Sequence, residues 1–165
     1  MQARLVVSAQ RNLQWEREVA ARAAAQVYGL VAEELELERD PASDFINPSR
    51  GQVEALRLVE ALSRESGRES LRLHITQLDI YFGQFNFCFG LASNKAAVVS
   101  TYRLRHRDSE KYIERLRKEA VHEVGHILGL GHCPNPRCVM FFSNSILDTD
   151  MKGENPCPRC LSLLK

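Results

Sequence analysis

His122, Glu123, His126 and His132 fall within one string, His122-Glu123-Val124-Gly125-His126-Ile127-Leu128-Gly129-Leu130-Gly131-His132. On a helix the first two imidazoles, four positions apart, lie one above the other and can both reach a single zinc ion. Glu123 projects beside them, where it can hold a water on the metal and act as general base. Gly129 and Gly131 follow at the expected helix end. Glycine tolerates the positive φ that stops a helix, so both are expected to let the chain turn and return His132 as third ligand. Three neutral imidazoles leave a fourth zinc position free for water, the mark of a catalytic site.

A second constellation begins one residue later. Cys133-x4-Cys138 and Cys157-x2-Cys160 are two cysteine pairs separated by an 18-residue loop, the pattern of a structural zinc site with four thiolates. Pro134, Pro136, Pro156 and Pro158 stiffen its two knuckles. The expectation is two zinc ions per chain, a structural one held tightly and a catalytic one held more weakly. Because Cys133 adjoins His132, the structural metal would also fix the third catalytic ligand. The fifth cysteine, Cys88, reads as a strand thiol, and His74 and His106 receive no role.

These groups need a scaffold. Arg4 to Ala9 reads as a strand and Leu13 to Tyr28 as a helix, with Trp15, Val19, Ala23 and Val27 on one stripe. Val31 to Glu38 is a further strand, 40–51 a loop rich in turn residues, and Gln52 to Arg64 a second helix. Leu71, Leu73 and Ile75 alternate with polar residues, and Leu78, Ile80 and Phe82 continue in shifted phase, so a bulge is expected near Gln77. Phe85, Phe87, Phe89 and Leu91 give one of the clearest strand patterns, and Ala96 to Leu104 a last strand. The third helix, about Ser109 to Gly129, carries the stripe Ile113, Leu116, Ala120, Val124 and Ile127. At about 100° per residue this stripe faces away from His122 and His126, which should point to open space. The fold class is α/β (α+β), with a mixed, mostly parallel twisted sheet.

Composition excludes several classes. The 22 Lys and Arg against 21 Asp and Glu leave a net charge of +1, without the basic excess of a nucleic-acid binder. No apolar run approaches the roughly 18 residues of a membrane span, and the N-terminus lacks a secretory h-region. Five cysteines, an odd number with four clustered near the end, suit a reducing compartment better than a disulfide framework. The cytoplasm is the expected location.

The histidine string followed by Met140 resembles the metzincin clan of zinc peptidases, whose motif continues into a methionine turn. With the cysteines added, the stretch from His122 to Cys160 is similar to the archaemetzincins in particular. The resemblance implies one peptidase domain with a backing helix and an active-site helix. An upper sheet-helix lobe (1–131) would face a small lower lobe (132–165), with Met140 as a floor beneath the histidines. In astacin-like and serralysin-like members a tyrosine stands two residues after the turn methionine; here that position is Phe142, which has no donor.

The expected activity is hydrolysis of peptide bonds by a zinc-activated water, with Glu123 as base and aminopeptidase action as one form of it. The substrate would be a peptide or protein, with no nucleic acid or membrane partner and a monomeric chain. If the Phe85 to Leu91 strand is the sheet edge above the cleft, it could pair with an extended substrate. Two rivals remain: a metallo-endoribonuclease with the same histidine spacing, and a zinc-stabilised interaction module with weak catalysis.

Overall fold

The computed structural model describes residues 2–164. Strand β1 (Arg4–Gln10) leads through a 3-10 turn into α1 (Gln14–Tyr28), and β2 (Val31–Leu37) follows. A second 3-10 turn (Pro41–Phe45) precedes β3 (Ile46–Asn47), β4 (Gln52–Glu54) and α2 (Ala55–Glu65). Next come β5 (Ser70–Thr76), β6 (Ile80–Tyr81), β7 (Gly90–Ser93) and β8 (Ala96–Ser100). The chain ends with the long α3 (Ser109–Ile127) and two short helices, α4 (Ile146–Met151) and α5 (Pro158–Ser162). No helix among the described residues is long and apolar enough to cross a membrane.

Five strands form the main sheet in the order β2-β1-β5-β8-β7, parallel except for β7, which runs antiparallel along the edge. Leu5, Val7, Ala9, Leu73, Ile75, Ala97 and Val99 point to one face and meet Ala20 and Ala24 of α1 and Leu116, Ala120 and Val124 of α3. Ala96 and Val98 point to the other, where Leu58, Val59 and Leu62 of α2 cover them. The central strands β5 and β8 are therefore covered on both sides, as parallel strands usually are, while β2 at the edge is largely exposed. A small second sheet, β3-β4-β6, lies beside the α2 layer.

Several expectations are corrected. The buried residues of α1 are Arg17, Ala20, Ala21, Ala23 and Ala24; of the expected stripe Ala23 is buried and Val19 and Val27 are partly buried against the cores, whereas Trp15 is 44% exposed. Small alanines win that face because α1 packs closely against both the sheet and α3. Residues 52–54 form β4, since the Val53 amide is taken by Asp79 O at 2.8 Å. No bulge occurs near Gln77. Instead β5 stops at Thr76, whose hydroxyl accepts from the Leu78 amide (3.1 Å), and the chain crosses to the second sheet. Residues 85–89 are not a strand: regular pairing starts at Gly90, after a single bridge between Cys88 and Ile80. The alternation of phenylalanines there serves a cleft, not a sheet.

Candidate metal and catalytic site

Asp108 caps the start of α3, its carboxylate accepting from the Glu110 amide at 3.0 Å. The helix ends in a Schellman turn: Gly129 N–H donates to His126 O (3.0 Å) and Leu130 N–H to Gly125 O (2.9 Å), with Gly129 at φ +102°. Gly131 takes no positive φ, so one glycine performs the reversal. The turn also presents the Leu130 carbonyl to His126, whose Nδ1–H donates to it at 2.8 Å. His122 Nδ1–H donates in the same way to Val139 O at 2.8 Å. Both rings are thereby fixed with Nε2 free to coordinate, as backbone acceptors behind a metal-binding histidine require.

His132 returns to the other two as the spacing predicts. Ligand atoms of His122, His126 and His132 lie within 4.8 Å of one another, and the Nε2 atoms of His122 and His126 are 3.1 Å apart. A tetrahedral zinc with bonds near 2.0–2.1 Å would set them about 3.4 Å apart. The set fits such an ion. Burial lowers the pKa of all three rings, most at His122, where the Lys152 ammonium adds to the effect. A neutral imidazole is the form that coordinates.

His122 and Glu123 do not face open space. Residues 118–125 of α3 are buried all round, because the segment from Cys138 to Lys152 folds over the side opposite the sheet. Glu123 is 4% exposed beneath β7, and its Oε2 has no hydrogen-bond partner among the described residues. Burial pushes its carboxyl well above the ordinary range, with Glu119 adding to the shift and Lys152 opposing it. The cleft above, about 810 Å³, is lined by Glu119, the three histidines, Glu123 and a ring of phenylalanines.

The cysteines also converge. Their four sulfurs lie within 4.8 Å of one another, with Cys133–Cys157 and Cys138–Cys160 both at 3.8 Å. That is the edge of a tetrahedron with zinc–sulfur bonds of about 2.3 Å. The amides of Met140 (3.4 Å) and Cys157 (3.2 Å) donate to Cys138 Sγ, an arrangement that favours a thiolate. The Cys157 thiol is lowered to about 7, first by the backbone N–H of Cys160. Cys133 N–H donates to Met140 O at 2.9 Å, tying the cysteine site to the methionine turn. Met140 is fully buried with Val121 and Cys133 and packs on Gly125 of α3.

Four residues of the site escaped the reading of the sequence. Glu119 and Lys152 form a fully buried ion pair at 3.2 Å beside His122. Glu119, four positions before Glu123 on the same helical face, carried a spacing signal; Lys152 carried none. Gly90 and Gly125 are required by close approach. A Cβ on Gly90 would stand 2.7 Å from Glu123 Cγ, and one on Gly125 would stand 2.6 Å from Met140 Sδ and Tyr28 Oη.

Residues 40–165 match the model of peptidase family M54. The chain belongs to this family, the archaemetzincins. The archaemetzincin of Pyrobaculum aerophilum is 48% identical over 120 residues, covering 72% of this chain and 74% of that protein. That of Methanopyrus kandleri is 46% identical over 118 residues, covering 70% and 67%. The crystal structure of the Methanopyrus kandleri protein superposes with a TM-score of 0.87 at 34% identity, over 98% of this chain and 93% of that one. The Archaeoglobus fulgidus archaemetzincin, complexed with malonate, gives 0.84 at 35% identity, over 96% and 98%. The chain is thus a zinc-metallopeptidase family member with the mixed α/β fold of its relatives.

Proposed function

We propose that this archaemetzincin hydrolyses peptide bonds in the cleft above His122, His126 and His132, with Glu123 as general base. Zinc held by the three imidazoles would polarise the scissile carbonyl and acidify the attacking water. The observation that carries the reading is Glu123 itself: buried beside the converging histidines, with one carboxylate oxygen lacking a hydrogen-bond partner among the described residues. A group so placed takes the proton of the attacking water, keeps it out of bulk solvent, and returns it to the departing amine. Cys133, Cys138, Cys157 and Cys160 would hold a second, structural zinc, and Met140 supports the floor. In this reading 132–165 is the lower lobe and 1–131 the upper.

The finer form of the proposal is aminopeptidase action. Acetylated peptides should then be cleaved far more slowly than the same peptides with free amines. For the base, replacing Glu123 by Gln in the zinc-loaded protein should cut turnover by about 10²–10⁴-fold while metal analysis shows unchanged zinc. Activity close to wild type with full zinc would remove Glu123 from that role.

A further inference from the structure

Of the chain's seven phenylalanines, five line the cleft. Phe87 and Phe89 meet edge to face at 5.2 Å, and Phe89 is buried in the main core. Phe82, Phe85 and Phe142 form the rim and are 37%, 55% and 38% exposed. Phe85, in the segment before β7, and Phe142, two residues after Met140, meet with ring centres 6.2 Å apart. Phe142 also lies 5.1 Å from the ring of His132, so the aromatic pair stands one side chain away from the converging imidazoles. Among the described residues no lysine or arginine lines the cleft, and its two carboxylates, Glu119 and Glu123, are buried, Glu119 already paired with Lys152. The described lining thus offers aromatic faces and no cationic side chain, the nearest guanidiniums standing behind the rim.

The rim segment has no regular hydrogen bonding of its own, yet it is held. Arg50, on the turn before β4, donates from Nη2 to the carbonyls of Phe85 (2.9 Å) and Asn86 (3.2 Å). Its guanidinium lies 3.6 Å above the ring of Tyr81. Gln52 donates to Asn86 O as well, at 2.8 Å. From the other side Arg103, ion-paired to Asp79 through two bonds, covers the ring of Phe87 at 4.2 Å. Side chains remote from the histidines therefore supply the order that strand pairing does not.

We propose that this rim is the specificity element of the site. It takes a substrate residue with a large apolar side chain, aromatic above all, against Phe85 and Phe142, and Arg50 is the positioning residue that keeps Phe85 in place. An aromatic ring laid there is withdrawn from water and gains edge or offset contacts with both phenylalanines. A glycine gains neither, and an acidic residue would lose hydration without a cation to replace it. Holding the rim before substrate arrives removes an ordering cost, so loosening it acts on binding more than on turnover.

The proposal rests on the peptidase reading, and two measurements keep them separable. The first profiles zinc-loaded protein on peptides identical except for one residue scanned through each position. Phe, Tyr or Leu at one position should be favoured about tenfold over Gly or Asp. The Phe85→Ala change should collapse that ratio. Arg50→Ala should raise KM for the Phe peptide by about three- to tenfold with the loss falling mainly on KM, and Arg50→Lys should recover part by restoring one carbonyl bond. Cleavage without side-chain preference, or a preference indifferent to Phe85→Ala, overturns the proposal and leaves the peptidase reading intact. The second measures binding of the Phe and Gly peptides to zinc-loaded Glu123→Gln protein by calorimetry. Tighter binding of the Phe peptide, abolished by Phe85→Ala, supports the proposal even if no peptide is cut, whereas equal binding of the two refutes it.

Discussion

His74 shows how far a residue's role can lie from its motif value. It is fully buried on β5, with Ser8 Oγ 2.9 Å from Nδ1 and Asp40 Oδ1 2.8 Å from Nε2. Serine, histidine and aspartate in hydrogen-bonded sequence are the components of a nucleophilic relay, but Ser8 is 0% exposed and carries an additional bond from Arg72 Nε (2.8 Å). With no access for substrate, the chain of bonds is structural: it joins β1 and β5 to the 3-10 turn that Asp40 caps through the Ala42 amide. Burial raises the Asp40 carboxyl, yet the bonds from His74, Thr76 and Ala42 outweigh it and hold the group below its ordinary value. A depressed carboxyl stabilises the fold above its unfolded pKa, near 3.9, and loses that contribution as pH falls through the folded value. Urea titrations should therefore show wild type exceeding Asp40→Asn by most above about pH 4, with the gap narrowing on acidification. A gap constant with pH would assign the bonds to a neutral Asp40.

At the scale of elements, the critical junction joins α3 to the loop between the cysteine pairs. Arg115 makes a two-bond ion pair with Asp150 (both 2.8 Å), Lys118 donates to Thr149 O (3.0 Å), and Lys152 reaches back to Glu119. Thr149 donates to Glu119 too, at 3.1 Å. One face of the helix thus binds α4 with charge while the opposite face packs on the sheet with apolar side chains. Removing one member of a fully buried pair strands the other. Lys152→Met should destabilise the protein by about 3–5 kcal/mol in chemical unfolding, and adding Glu119→Gln should restore much of it. If the double variant is no more stable than the single, the pair is not the source of the loss.

Across the whole molecule, two ligand sets of different character share a backbone segment. The histidines open on the cleft, with His132 exposed and His126 half-buried. Cys133, Cys138 and Cys160 are buried in a core with Val139, Met140 and Leu130, and Cys157 is half-buried against it. A mild chelator should remove the metal at the histidines first, leaving about one zinc per chain and an unfolding temperature close to that of the loaded protein. Metal analysis alongside thermal unfolding reads both. Simultaneous loss of both ions with unfolding would mean that the two sets do not behave as separate sites.

The sequence by itself determined the local part of this protein. His122 and His126 meet because α-helical geometry puts residues four apart on one face, and Gly129 permits the reversal that returns His132. The cysteine pairs are likewise legible, as are β1, β2, β5, the body of α3 and the mixed sheet, because hydrophobic periodicity follows from backbone geometry alone. The same periodicity misled at 85–89, where alternate phenylalanines face a cleft and Arg50 and Gln52 take the carbonyls a neighbouring strand would have used. It misled again on α3, where a polar face implied solvent but the loop from Cys138 to Lys152 covers it. Only the tertiary structure could decide those points, and with them the Glu119–Lys152 pair, the close approaches at Gly90 and Gly125, and the orphaned oxygen of Glu123. Each depends on segments distant in sequence meeting within a few ångströms, which no local spacing encodes.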